Sequence, residues 1–156
     1  MDSSLKGMSV GALSLVGAGA TTYGLCFAGD NLGRLVHRID NERLSSILNS
    51  KMATRVADVA FLTSAVVITA GISTALHGAF NGKSIKESLL DKGTSAAGFA
   101  TTLSGLGVGV GVGMLVSKYS QSINHELKGM GWGTFAGAVA SVVTATIAQH
   151  LLNKDS

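Results

Sequence analysis

The stretch GTSAAGFATTLSGLGVGVGVGMLVS, Gly93 to Ser117, holds 25 residues and no charge. A helix of roughly 20 apolar residues crosses a bilayer core of about 30 Å, so this segment alone is long enough to span one. Gly7 to Gly29, Val59 to Gly82 and Gly129 to Asn153 share the property, and the four stretches take up 97 of the 156 residues. Mean hydropathy is +0.40, and only 13% of residues are charged. The chain therefore reads as an all-α, integral, multi-pass membrane protein, a four-helix bundle in one membrane domain over residues 1–156. Its 21 glycines would weaken helices in water. In hydrocarbon the backbone has no partner but itself, so helix persists, and the absence of proline removes the commonest kink.

The net charge of +3 is too small to suggest a nucleic-acid partner. With both termini on one side, side A carries Lys6, Lys83, Lys86, Lys92 and Lys154. Side B carries Arg34, Arg38, Arg43, Lys51, Arg55, Lys118 and Lys128. Seven against five leans toward a cytoplasmic side B, while the habit of even-span proteins to keep both termini in the cytoplasm leans the other way. The single cysteine, Cys26, lies inside the first apolar stretch and has no partner for an intrachain disulfide. Gly7 to Gly29 is too long for the core of a cleaved signal and reads as a retained first span.

Shifting the chain by 80 residues lays Ala20 to Ile39 over Ala100 to Tyr119, with Ala20, Thr21, Thr22, Gly29, Gly33, Leu35 and Val36 meeting identical residues. A fainter echo joins VVITAGI from Val66 to VVTATI from Val142. The halves look like a duplicated two-helix hairpin, 7–80 and 93–153, arranged as parallel repeats. By this logic the first helix runs on past Arg34 toward Ile39. An amphipathic connection over 30–50 follows, with Leu32, Leu35, Val36, Ile39, Leu44, Ile47 and Leu48 at helical spacing. On side A, Asn81-Gly82 is a turn pair, and Ser84 with Glu87 forms a capping box opening a short helix over 84–92 that Lys92-Gly93 ends. The third span is expected to project to about Glu126 and the fourth to begin near residue 130.

The glycines are spaced for close helix contact. Gly105, Gly109 and Gly113 share one face of the third span, and Gly107 and Gly111 lie on another. The fourth span carries Gly129, Gly133, Gly137 and Ser141 at four-residue intervals, the first offers Ala20, Gly24 and Ala28, and the second Gly71, Ala75 and Ala79. Lipid is as apolar as leucine, so association within a membrane relies on close backbone approach, which small residues permit. Four such stripes offer more smooth surface than one small bundle buries. The expected partners are thus the lipid bilayer and either further copies of the chain or other membrane subunits.

In outline, this arrangement resembles the rotor-ring proteolipids of rotary ATPases in their duplicated four-helix form. The similarity covers the length, the doubled hairpin and the alternating glycine run from Gly105 to Gly113. It implies tightly packed helices and not ion transport, because the ion-binding carboxylate of that family has no counterpart: the fourth span has no acidic residue and the second only Asp58 at its entrance. The R-x-x-x-D signature of the glycine-rich mitochondrial translocase family is also absent, with Arg55 and Asp58 only three apart.

Candidate chemistry is sparse. Asp30, Asn31 and Arg34 form the leading polar cluster, either an ion site or an interfacial pair in which Arg34 neutralises Asp30, and Arg55 with Asp58 at the start of the second span is a weaker one. His77 and His150 on side A and His37 and His125 on side B lack flanking ligands and read as interfacial decoration, so no metal is expected. Thr69, Ser73, Thr134, Ser141 and Thr144 either line a wet path or bond back to their own helix. Trp132, Phe135 and Tyr119 mark the side B boundary as an aromatic anchor. With no nucleophile and base and no phosphate cradle, the chain reads as neither an enzyme nor a cofactor carrier. The leading expectation is a homo-oligomeric pore or channel-like assembly, holin-like or membrane-permeabilising. The alternatives are a non-conducting structural or assembly subunit of a larger membrane complex, and a small transporter or rotor-ring-like subunit.

Overall fold

A computed structural model describes residues 2–38, 46–47, 50–120 and 124–154, and the description below is of those residues. Five helices stand out: α1 Ser3–His37, α2 Lys51–Ala79, α3 Ile85–Leu90, α4 Lys92–Tyr119 and α5 His125–Lys154. Within these helices four segments, Ser3–Arg34, Lys51–Ala79, Lys92–Tyr119 and Lys128–Lys154, are long and apolar enough to cross a bilayer. The chain is an integral, multi-pass, all-α membrane protein. Residues 39–45 and 48–49 of the amphipathic connection expected over 30–50 lie outside the described residues.

The helix ends follow from local chemistry. Ser50 stands in extended backbone before α2 and accepts from the Ala53 amide at 3.2 Å. Gly82 has φ +73°, a left-handed conformation that a side chain would strain, and it turns the chain from α2 into α3. Ser84 caps α3 by accepting from the Glu87 amide at 3.3 Å, while the Glu87 carboxylate accepts from the Ser84 amide at 2.8 Å. Two expected boundaries are corrected. The short helix stops at Leu90, because Asp91 adopts extended backbone and its carboxylate accepts from the Thr94 amide at 2.9 Å. Lys92-Gly93 therefore opens α4 instead of closing α3. The third span ends at Tyr119 and not Glu126, since Ser120 leaves the helix with ψ 120°, and α5 begins at His125, so Gly129 and Gly131 lie within it.

Antiparallel neighbours surround the bundle in the order α1, α2, α4, α5, with α3 seated on the end of α2. The start of α1 and the end of α5 lie together on side A, where a Cβ on Gly11 would lie 2.6 Å from the Val142 Cα. Polarity inside and out is reversed relative to a water-soluble fold. Among the described residues the buried apolar set is Val10, Ala70, Ala97, Ala145 and Ala148, all small. Leucines, valines and aromatics such as Val16, Phe27, Val59, Leu62, Leu115 and Phe135 face outward. In water such a surface would be an aggregation hazard. Against lipid tails it costs nothing, and the interior is left to polar groups that need partners.

Candidate functional site: a buried polar cluster and an open groove

Among the described residues the two largest fully buried side chains are His77 of α2 and Gln149 of α5. Gln149 Nε2 lies 3.0 Å from His77 Nδ1 and donates to the His77 carbonyl at 3.1 Å. Only its Oε1 can accept from Asn81 Nδ2, at 3.0 Å, so Nε2 is the amide nitrogen and a donor to Nδ1. His77 Nδ1 must then be the acceptor and Nε2 the protonated nitrogen, which donates to Thr101 Oγ1 at 3.0 Å. Thr101 passes its own hydrogen to the Ala97 carbonyl at 2.9 Å. Each donor in this row has an acceptor, and the row ties α2, α4 and α5 together.

A second polar link sits further along the axis. Ser73 donates to Ser14 of α1 at 2.7 Å, and Thr102 of α4 donates to Ser73 at 3.4 Å. Ser141 of α5 donates to the Thr101 carbonyl at 3.3 Å. Lys6 of the neighbouring α1 donates to Asn81 Oδ1 at 3.4 Å. No buried side-chain nitrogen or oxygen among the described residues lacks a hydrogen-bond partner. Outside the apolar zone, Asp91 gathers Thr94 Oγ1 at 2.5 Å and Lys83 Nζ at 2.9 Å. The hydroxyl, with the Lys83 ammonium and the Thr94 amide behind it, holds the Asp91 carboxyl well below the usual carboxylate range. The Glu87 carboxyl is lowered likewise, first by the Ser84 backbone and side-chain hydrogen bonds.

The side B half is built differently. A Cβ on Gly133 would lie 2.6 Å from the Gly109 carbonyl oxygen and 3.0 Å from the Gly113 Cα. One on Gly137 would lie 2.6 Å from the Gly105 oxygen, and one on Gly129 2.6 Å from the Gly113 oxygen. Gly105 faces Ser141 in the same way. Gly107 and Gly111 have open space around them. On α1 the close approaches stop at Gly17, which meets the Ile72 side chain at 2.9 Å, and Gly19, Gly24, Gly29 and Gly33 meet nothing within 4 Å. An open groove of about 1010 Å³ separates this part of α1 from the α4 and α5 pair, lined by Leu15 and Thr22, by Val110, Met114 and Lys118, and by Met130.

Asp30, Asn31 and Arg34 are exposed on α1 beyond the groove. Asn31 bonds back to the Phe27 carbonyl at 2.8 Å, and the expected Asp30 to Arg34 pair does not form: among the described residues the ion pair present is Lys83 to Asp91. His77, expected at the interface, is instead fully buried, because partners from two other helices reach it near the end of its own. His150 is exposed, and the side chains of His37 and His125 lie outside the described set. Gln149, Thr101 and Ser14 escaped sequence reading, since a lone polar residue in an apolar run does not disclose its partner. Among the described residues no group of three metal-binding side chains comes together. No family model, curated protein or solved structure matches the chain.

Proposed function

We propose that the protein is a non-conducting, non-enzymatic assembly subunit of the membrane that associates laterally with copies of itself. The observation that carries this reading over a pore is the fate of the polar side chains. A conduction path needs hydroxyls or amides free to replace water around an ion. Here Ser14, Ser73, Thr101, Thr102, His77 and Gln149 bond one another inside one bundle. The outward hydroxyls of Ser9, Thr22 and Thr134 bond carbonyls of their own helices. The faces left for neighbours are apolar and smooth.

Lateral contact is assigned to α1. Gly105, Gly109, Gly113, Gly129, Gly133 and Gly137 look into the α4 and α5 contact, whereas Ala20, Gly24 and Ala28 are exposed at four-residue spacing. The duplicated hairpin belongs to the same proposal: the second copy keeps its helices in close contact and the first has opened its outer half for partners. The test is reconstitution of the pure chain in dye-loaded vesicles with chemical cross-linking. The expected result is retained dye and cross-linked oligomers that Gly24→Leu diminishes. Dye release at protein levels that leave the vesicles intact would restore the pore reading, and unchanged cross-linking of Gly24→Leu would remove α1 from the interface.

A further inference from the structure

We infer that the groove between α1 and the α4 and α5 pair is a binding site for one anionic phospholipid of the side B leaflet. The groove is open and its lining residues lie within the membrane-spanning helices, where the surrounding medium is lipid. Its walls are Leu15, Val110, Met114 and Met130, and its floor is the glycine backbone of α4 and α5, smooth enough for an acyl chain to lie flat. From Gly105 to Lys118 the floor rises through thirteen residue steps. At 1.5 Å per residue that is about 20 Å. One leaflet contributes about 15 Å of hydrocarbon, so the groove reaches from near the bilayer midplane to headgroup level.

Charge decides which lipid. Lys118 lines the headgroup end of the groove, and Lys128, outside the groove on the neighbouring face with Trp132 and Phe135, adds a second positive charge at the same level. Among the described residues the groove lining contains no carboxylate to neutralise the Lys118 ammonium. Lys118 instead lies over the Tyr119 ring at 5.6 Å, which leaves its charge in place. A zwitterionic headgroup brings its own ammonium toward these lysines. An acidic headgroup such as phosphatidylglycerol brings only negative charge, and basic pockets between membrane helices select on that basis.

The test uses the full chain in phosphatidylcholine vesicles with a trace of spin-labelled phosphatidylglycerol or spin-labelled phosphatidylcholine. The motionally restricted fraction of each label is read by electron spin resonance. About a fivefold preference for the acidic label is expected, falling close to parity in Lys118→Gln/Lys128→Gln. Thr22→Trp, which fills the groove from an exposed position on α1, should remove the restricted component for both labels while leaving the lysines intact. Equal restriction of the two labels by the unaltered protein would overturn the proposal, as would a preference that survives loss of both lysines. A dimer that persists after delipidation and is lost with Thr22→Trp would place a second copy in the groove instead and would equally overturn it.

Discussion

The two ends of the bundle differ in how many helices they join and in what joins them. On side A, Gly7 and Gly11 bring the α1 backbone against α5 and Gly98 brings α4 against Thr74 of α2, yet room remains among α2, α4 and α5 for His77 and Gln149, whose side-chain hydrogen bonds bridge these helices, with Ser14 and Lys6 adding α1. On side B, the α4 and α5 backbones nearly touch, and no side chain stands between Gly109 and Gly133. The first kind of contact is directional and can include all four long helices. On side B this second kind joins α4 to α5 and does not reach α1, whose Gly19, Gly24, Gly29 and Gly33 meet nothing within 4 Å, so a groove opens beside it. A membrane protein has no hydrophobic effect with which to close such a gap, because lipid fills it as readily as a leucine would.

The comparison is broken most severely by filling the close contact. Gly133→Leu would drive a side chain into the Gly109 oxygen and the Gly113 Cα, both backbone atoms that cannot rotate away. The two helices must separate, and we expect a loss of about 3 kcal/mol, the upper end of ordinary overpacking. Unfolding by SDS in mixed micelles reads it. Gly107→Leu on the open face of α4 should change stability by no more than about 0.5 kcal/mol. Equal losses for the two variants would mean that the α4 to α5 contact is not what is being measured, since helix propensity alone favours leucine over glycine at both positions.

A somewhat smaller effect is expected at the polar end. His77→Leu leaves Gln149 Nε2 without its ring acceptor and Thr101 Oγ1 without its donor, inside a region closed to water. Stranding buried polar groups costs about 1–3 kcal/mol, whereas removing both members of a pair is close to neutral. The variant His77→Leu/Gln149→Leu should therefore be less damaged than the sum of its single changes. A double-mutant cycle in the same micelles measures the coupling. Strict additivity would show that the cluster fills space without its hydrogen bonds contributing.

How far each end was legible in the sequence follows from the same contrast. The spans announce themselves because a charge within a stretch such as Gly93 to Ser117 would be costly, and the capping box declares itself locally through Ser84 and Glu87. The four-residue glycine intervals on α4 and α5 were visible too, although nothing in them told that Gly105, Gly109 and Gly113 would face a helix of the same chain. The polar cluster was not legible. His77 stands close to a helix end, where a histidine ordinarily meets water, and its partners are 24 and 72 residues away. Asp91 was hidden by its neighbour: Lys92-Gly93 has the form of a helix stop, but the capping bond from Asp91 to Thr94 makes it a start. The groove depends on where α1 parts from α5, which no local pattern records.

The smallest expected effect lies at the seal of the closed end, where Asp91 joins α3 to α4. Its carboxylate is held below the ordinary aspartate range by Thr94 and Lys83, so the folded state favours the ionised form. The contribution is complete above the ordinary aspartate value of about 4 and drains away as pH falls below it toward the depressed folded value. The Glu87 carboxyl, lowered by the Ser84 backbone, acts with the same sign. Stability measured by thermal unfolding should therefore be level with respect to these two groups from pH 8 down to about pH 5, and should decline below about pH 4. Asp91→Asn keeps a side chain able to cap α4 but has no charge to lose, so the acid decline should become shallower while stability at neutral pH falls slightly with loss of the Lys83 pair. Glu87→Gln in addition should flatten it further. If the double variant loses stability in acid as steeply as the unaltered chain, the titration lies elsewhere, and the α3 turn is held by its backbone geometry alone.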